Sequence, residues 1–268
     1  MTPYICVTCG TQFAETETPP EHCPICKDER QYIGHDGQQW TTLTKLKQTH
    51  HNRIEKVEEG LYGIGTEPSF AIAQRALLIQ SDEGNILWDC ISLLDDATIE
   101  KVNELGGVSV IAISHPHYYS SVVEWAQAFN AKVYLHDADR QWVMRPDPAI
   151  EFWKGERLEL QKDITLLRGG GHFEGGTILH WPAGSSRKGA LLTGDIIQVV
   201  SDRRWVSFMY SYPNLIPLPA SEVERIADVV EPYAFDRIYG AWWSRVILSD
   251  AKDAVRRSAE RYIKSLKD

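Results

Sequence analysis

Val108-Ser-Val-Ile-Ala-Ile113, running straight into Ser114-His-Pro-His-Tyr-Tyr-Ser120, is the stretch that decides the fold. A short run of alternating β-branched residues reads as a buried strand, and the polar residues that follow it mark its carboxyl end. Open sheets place their ligands at that end. His115 and His117, two apart in a segment read as extended, point to one side and suit a shared metal ion.

Two later stretches repeat the pattern of a strand beside a metal-binding side chain. Gly169-Gly-Gly-His172-Phe-Glu-Gly-Gly-Thr177 is a glycine-dense loop around one histidine, feeding the strand Ile178-Leu-His-Trp181. Its glycines let the backbone turn sharply while His172 is presented inward. Ala190-Leu-Leu-Thr-Gly194-Asp195 ends a buried strand on a glycine and a carboxylate.

The ordered series of strand then HxH, glycine-flanked histidine, and strand-Gly-Asp resembles the metallo-beta-lactamase superfamily over residues 55–260. The resemblance implies an α/β protein, a four-layer αββα sandwich with metal-dependent hydrolase activity. It also implies one ion held by His115, His117 and His172, with Asp195 as a fourth ligand or a ligand to bound water. Where the superfamily motif reads HxHxDH, this chain has Tyr119 and Ser120 in place of the aspartate and the last histidine. The late loop, Gly240-Ala-Trp-Trp243, carries no histidine. These departures fall on the second metal position, so a single ion, zinc or iron, is expected.

One ion with an open position activates water and polarises a carbonyl, which suffices for esters, thioesters or lactones. His115, His117, His172 and Asp195 are the expected catalytic set, and Tyr119 is a candidate proton or hydrogen-bond donor. Ser120, Phe208, Tyr210, Trp242 and Trp243 are candidates to line a pocket for a small-molecule substrate. A catalytically lapsed binding scaffold and a redox protein are the competing readings.

Upstream, Cys6-Val-Thr-Cys9 and Cys23-Pro-Ile-Cys26 form two CxxC knuckles with 13 residues between them. A segment this short needs a staple, and the paired knuckles resemble a zinc ribbon or rubredoxin-like domain. A ribbon over residues 1–40 is therefore expected before a main domain over 41–268, with zinc, or iron, in the four-thiolate cage. Cys90 stands alone and reads as a small buried residue.

With 28 basic against 37 acidic residues the net charge is -9, which disfavours nucleic-acid binding. No apolar run is long enough to span a membrane, and four cysteines in tight pairs point to a reducing, cytoplasmic setting. The oligomeric state is left open. Elsewhere, residues 70–80 and 86–88 read as a hairpin, Asp96 opens a helix closed by Gly106-Gly107, and Ser121 and Ser221 open helices as capping boxes with Glu124 and Glu224. Residues 251–266 form an amphipathic terminal helix.

Overall fold

The computed structural model describes residues 1–267. A ribbon sheet of β1 (Thr2–Cys6), β2 (Gln12–Thr16) and β3 (Trp40–Thr42) precedes two large sheets. The first large sheet has seven strands, β4 (His51–Glu58), β5 (Leu61–Glu67), β6 (Arg75–Ile79), β7 (Ile86–Trp88), β8 (Val110–Ala112), β9 (Lys132–His136) and β10 (Ile150–Trp153), adjacent in chain order. The second is built from β11 (Arg157–Gln161), β12 (Ile164–Arg168), β13 (Thr177–Trp181) and β14 (Ala190–Gly194). After two short hairpins, β15 (Gln198–Val199) with β16 (Val206–Ser207) and β17 (Met209–Ser211) with β18 (Ile216–Pro217), it is completed by β19 (Arg237–Gly240) and β20 (Val246–Ile247).

Side-chain alternation along the strands produces the layers. Leu77, Ile79, Trp88 and Ala112 of the first sheet meet Leu166, Leu179, Leu192 and Tyr239 of the second in one core between the sheets. Their neighbours Ala76, Leu78, Leu87 and Ile111 face outward onto Val102, Val122, Trp125 and Ala126 of the helices Asp96–Glu104 and Val122–Phe129. On the far side, Leu167, Ile178, Leu191 and Ile238 pack on Val223, Ile226, Ala254 and Val255 of the helices Ala220–Val230 and Ala251–Ser265. The result is the expected αββα sandwich.

Several local expectations change in the folded chain. Only Arg75–Ile79 of the 70–80 run is strand, because Ala71 and Ala73 take left-handed turn conformations and Gln74 donates to the Cys90 carbonyl and Ser120 Oγ. Asp95, one residue before the expected start, caps the helix Asp96–Glu104 by accepting from Thr98 N–H at 2.8 Å. Neither serine capping box forms. Glu124 pairs with Arg145 and Gln12 in place of Ser121, and the later helix already begins at Ala220.

The ribbon is joined to the sandwich by side chains as well as by the chain. Its sheet runs to Thr42, since β3 pairs with β1, and Ile5 shares a small core with Leu46 and Leu93. Gly10, at φ +82°, lies so close to the sandwich that a Cβ there would stand 2.5 Å from Ser92 Oγ, and its carbonyl accepts from that hydroxyl at 2.7 Å. Among the described residues no helix is long and apolar enough to cross a membrane.

Candidate metal centre

His115 follows β8, Asp195 follows β14, and His172 lies in the loop joining β12 to β13, so three strand ends deliver the four side chains. Gly194 makes the meeting of the two sheets possible. At φ +51° it takes a left-handed conformation, and any Cβ there would collide with Ser114 Oγ. One ligand atom from each of His115, His117, His172 and Asp195 lies within 4.8 Å of the others, and these residues are 1%, 2%, 1% and 5% exposed.

This donor set fits a cation. His172 Nε2 stands 3.3 Å from His117 Nδ1, and His115 Nε2 is 3.6 Å from Asp195 Oδ2. Ligands at ordinary zinc distances in a tetrahedron stand about 3.4 Å apart. Burial lowers all three histidines, His172 to about 4, so they present neutral lone pairs and the His115–Asp195 contact is no ion pair. His115 Nε2 and His117 Nε2 are buried without any hydrogen-bond partner. Burial alone lifts Asp195 to about 7, and an ion in the cluster would reverse that shift.

Outer contacts fix which ring nitrogen faces inward. His172 Nδ1 donates to the Tyr210 carbonyl at 2.8 Å, leaving Nε2 free for the cluster. Ser114 Oγ lies 2.9 Å from His115 Nδ1, and the Ser114 N–H donates to Asp89 at 2.7 Å. Asp89 is the site residue that sequence reading missed. A carboxylate directly after β7, which runs parallel to β8, was the available signal.

The remaining expected site residues scatter. Pro116–Tyr118 is a turn of 3-10 helix, not the extended segment expected, and residues three apart eclipse in such a turn. Tyr118 therefore joins His115, with ring centroids 4.3 Å apart, and burial, then the neighbouring charge of Asp195, holds the proton on its hydroxyl. Tyr119 turns away into the core with Val122, Val123 and Leu135 and does not face the ligands, which corrects its proposed donor role.

Among the pocket candidates only Tyr210 adjoins the cluster, through its carbonyl on His172. Ser120 Oγ donates to the Cys90 carbonyl. Phe208 is fully buried against Tyr262 in the outer core. Trp242 Nε1 donates to the Ile72 carbonyl, and Trp243 packs on Gly63 and Gly65 beneath Arg53 and Arg75. Packing thus takes up the chain positions of a second metal.

The four buried cysteines form a separate cluster, the only other one among the described residues, and no cysteine is in a disulfide. Cys6 and Cys26 sulfurs are 3.6 Å apart and Cys9 and Cys23 sulfurs 3.7 Å, near the roughly 3.8 Å edge of a tetrahedral four-thiolate ion. Trp142 packs on this cluster and also meets Phe173 edge-on at 5.8 Å.

The layered sandwich with its strand-end cluster defines the fold of metallo-beta-lactamases. The metallo-beta-lactamase DIM-1 superposes with a TM-score of 0.60 at 14% identity, covering 80% of this chain and 98% of its own. The FIM-1 enzyme of Pseudomonas aeruginosa, in a mono-zinc form, does so at 0.59 and 12%, covering 78% and 95%. A metallo-beta-lactamase from Hirschia baltica gives 0.54 and 15%, covering 79% and 97%. No protein-family model matches the chain. The protein called "Uncharacterized protein YmaE" in Bacillus subtilis (strain 168) is 57% identical over 265 residues, covering 98% of this chain and 96% of the relative. The chain belongs to the family of that protein.

Proposed function

We propose that the chain is a metal-dependent hydrolase with one ion at His115, His117, His172 and Asp195, acting on a small ester, thioester or lactone. The observation that carries this reading is the convergence of three neutral histidines and one carboxylate, with no second ligand cluster beside them among the described residues. An ion there supplies Lewis acidity and a water nucleophile at neutral pH. Zinc is the preferred ion in both sites, and the reduced thiols favour a cytoplasmic setting.

The protein's own groups do the rest. Tyr210 and Ser114 hold His172 and His115 in the orientation that aims Nε2 inward. Asp195 positions the attacking water, and Tyr118, protonated beside it, donates a hydrogen bond to the developing oxyanion. Turnover of an ester, thioester and lactone panel by wild type and His172→Ala tests the reading. Activity confined to wild type is expected, and equal turnover by a metal-free variant would reject it.

A redox role is the second reading, favoured by the Trp142–Phe173 contact that runs from the cysteine cluster to the histidine rings. It requires iron in the thiolate cage. A red protein with iron bound to the cysteines would support it, and a colourless zinc protein would remove it.

A further inference from the structure

The guanidinium of Arg30 belongs to the ribbon yet sits among three rings of the sandwich. Its central carbon is 4.1 Å from the centroid of Phe173, 5.1 Å from Tyr210 and 5.4 Å from Trp142. Phe173 in turn packs against the rings of His115, His117 and His172 at 5.6, 5.0 and 5.2 Å, so this cage shares a wall with the metal centre. Arg30 Nη1 donates to the His172 carbonyl at 3.4 Å.

We propose that the cage of Trp142, Phe173 and Tyr210 is a subsite for an organic cation carried by the substrate, a guanidinium or alkylammonium group, with Arg30 as its resting occupant. The placement rests on the histidine centre being the reaction site. Aromatic faces carry negative charge density, and three of them around one point favour a cation over a neutral or anionic group. The buried carboxylate of Asp139, held by the Gly175 N–H at 2.9 Å, adds to the attraction felt by Arg30.

Release of Arg30 does not strand Asp28, and it leaves the buried Asp139 carboxylate to the arriving cation. Asp28 grips its fork with Nε to Oδ1 at 2.6 Å and Nη2 to Oδ2 at 3.0 Å, and both residues belong to one short segment, so they leave as a neutral pair. The bonds that hold this segment to the sandwich are polar and replaceable by water. Tyr210 donates to Glu29, Ser211 to the Arg30 carbonyl, and Asn214 to the carbonyls of Glu29 and Gln31. An arriving cation would fill the vacated cage, with Phe173 between it and the histidine rings.

Arg30→Ala in the full chain empties the cage, and ethylguanidinium serves as probe with the neutral ethylurea as control. Hydrogen exchange in residues 169–177 should quicken about ten-fold in the variant, the scale of one lost cation contact. Ethylguanidinium should restore protection saturably, ethylurea should not, and adding Phe173→Leu should abolish the rescue. Absence of saturable rescue, or equal rescue by ethylurea, overturns the proposal. If Arg30→Ala fails to fold, wild type titrated with ethylguanidinium decides: saturable quickening of exchange in residues 28–31 supports the subsite, and none rejects it. Neither readout needs a bound ion or turnover, so a failed hydrolase reading would leave these results standing.

Discussion

Ser114 shows how much of the centre is set by side chains that do not bind the ion. Its hydroxyl fixes His115 and its backbone N–H is fixed by Asp89, so Ser114→Ala should lower metal affinity at the histidine cluster roughly 10- to 100-fold, the usual cost of losing such support. Competition with a chelator, scored against wild type, would show it, and an unchanged affinity would mean that Asp89 alone suffices. The tyrosines give a second comparison. Tyr118→Phe should lower kcat by roughly 10- to 1000-fold with the metal retained, while Tyr119→Phe should leave it near wild type. A loss in Tyr119→Phe alone would put the donor back where the sequence placed it.

That reversal marks where sequence reading stopped. His115, His117, His172 and Asp195 were legible because each follows or flanks a strand of plain hydrophobic pattern, and the fold brings them together. Tyr119 drew attention because it stands where the HxHxDH motif has its aspartate, whereas Pro116 starts a 3-10 turn that puts Tyr118 on the side of His115. Asp89 was overlooked because, although its place directly after β7 is legible, its partner Ser114 lies across a parallel strand pair.

At the scale of elements, strands and the terminal helix were legible from periodicity, while helix starts were not. Ser121 and Ser221 carry the capping-box letters, yet Glu124 is drawn to Arg145 and the ribbon's Gln12, and Pro219 starts the later helix early. Tertiary partners outcompeted local ones. The turn over residues 137–142, which carries Asp139 and Trp142 to the cage, depends on His136. Its Nδ1 accepts from the Ala138 N–H at 3.2 Å and its Nε2 donates to the Gly155 carbonyl at 3.1 Å, an arrangement only the neutral ring makes. Burial lowers its pKa below the ordinary 6.5, so its contribution to stability is complete above that value and fades as pH falls through the lowered one. Thermal unfolding of wild type should lose stability on acidification below about pH 6.5 more steeply than His136→Gln. Parallel pH profiles for the two proteins would contradict this.

The whole molecule is a sandwich with a four-cysteine ribbon laid against the end that carries the histidine cluster. Its central seam is legible in the apolar strands, and Trp88, which is almost wholly buried between the sheets, anchors it. Trp88→Ala should cost about 3–5 kcal/mol of stability by denaturant unfolding. A cost below one kcal/mol would mean that the seam collapses around the cavity. What the sequence did not disclose was the closeness of the ribbon, because Gly10 on Ser92 and Arg30 on Phe173 join residues far apart in the chain.

The count of bound ions per chain, measured by elemental analysis on natively purified wild type and on His172→Ala, addresses the single-ion centre most directly. Two ions are expected in wild type, one in the cysteine cage and one among His115, His117, His172 and Asp195, falling to one in the variant. Three ions in wild type, or two retained in His172→Ala, would contradict the single-ion centre.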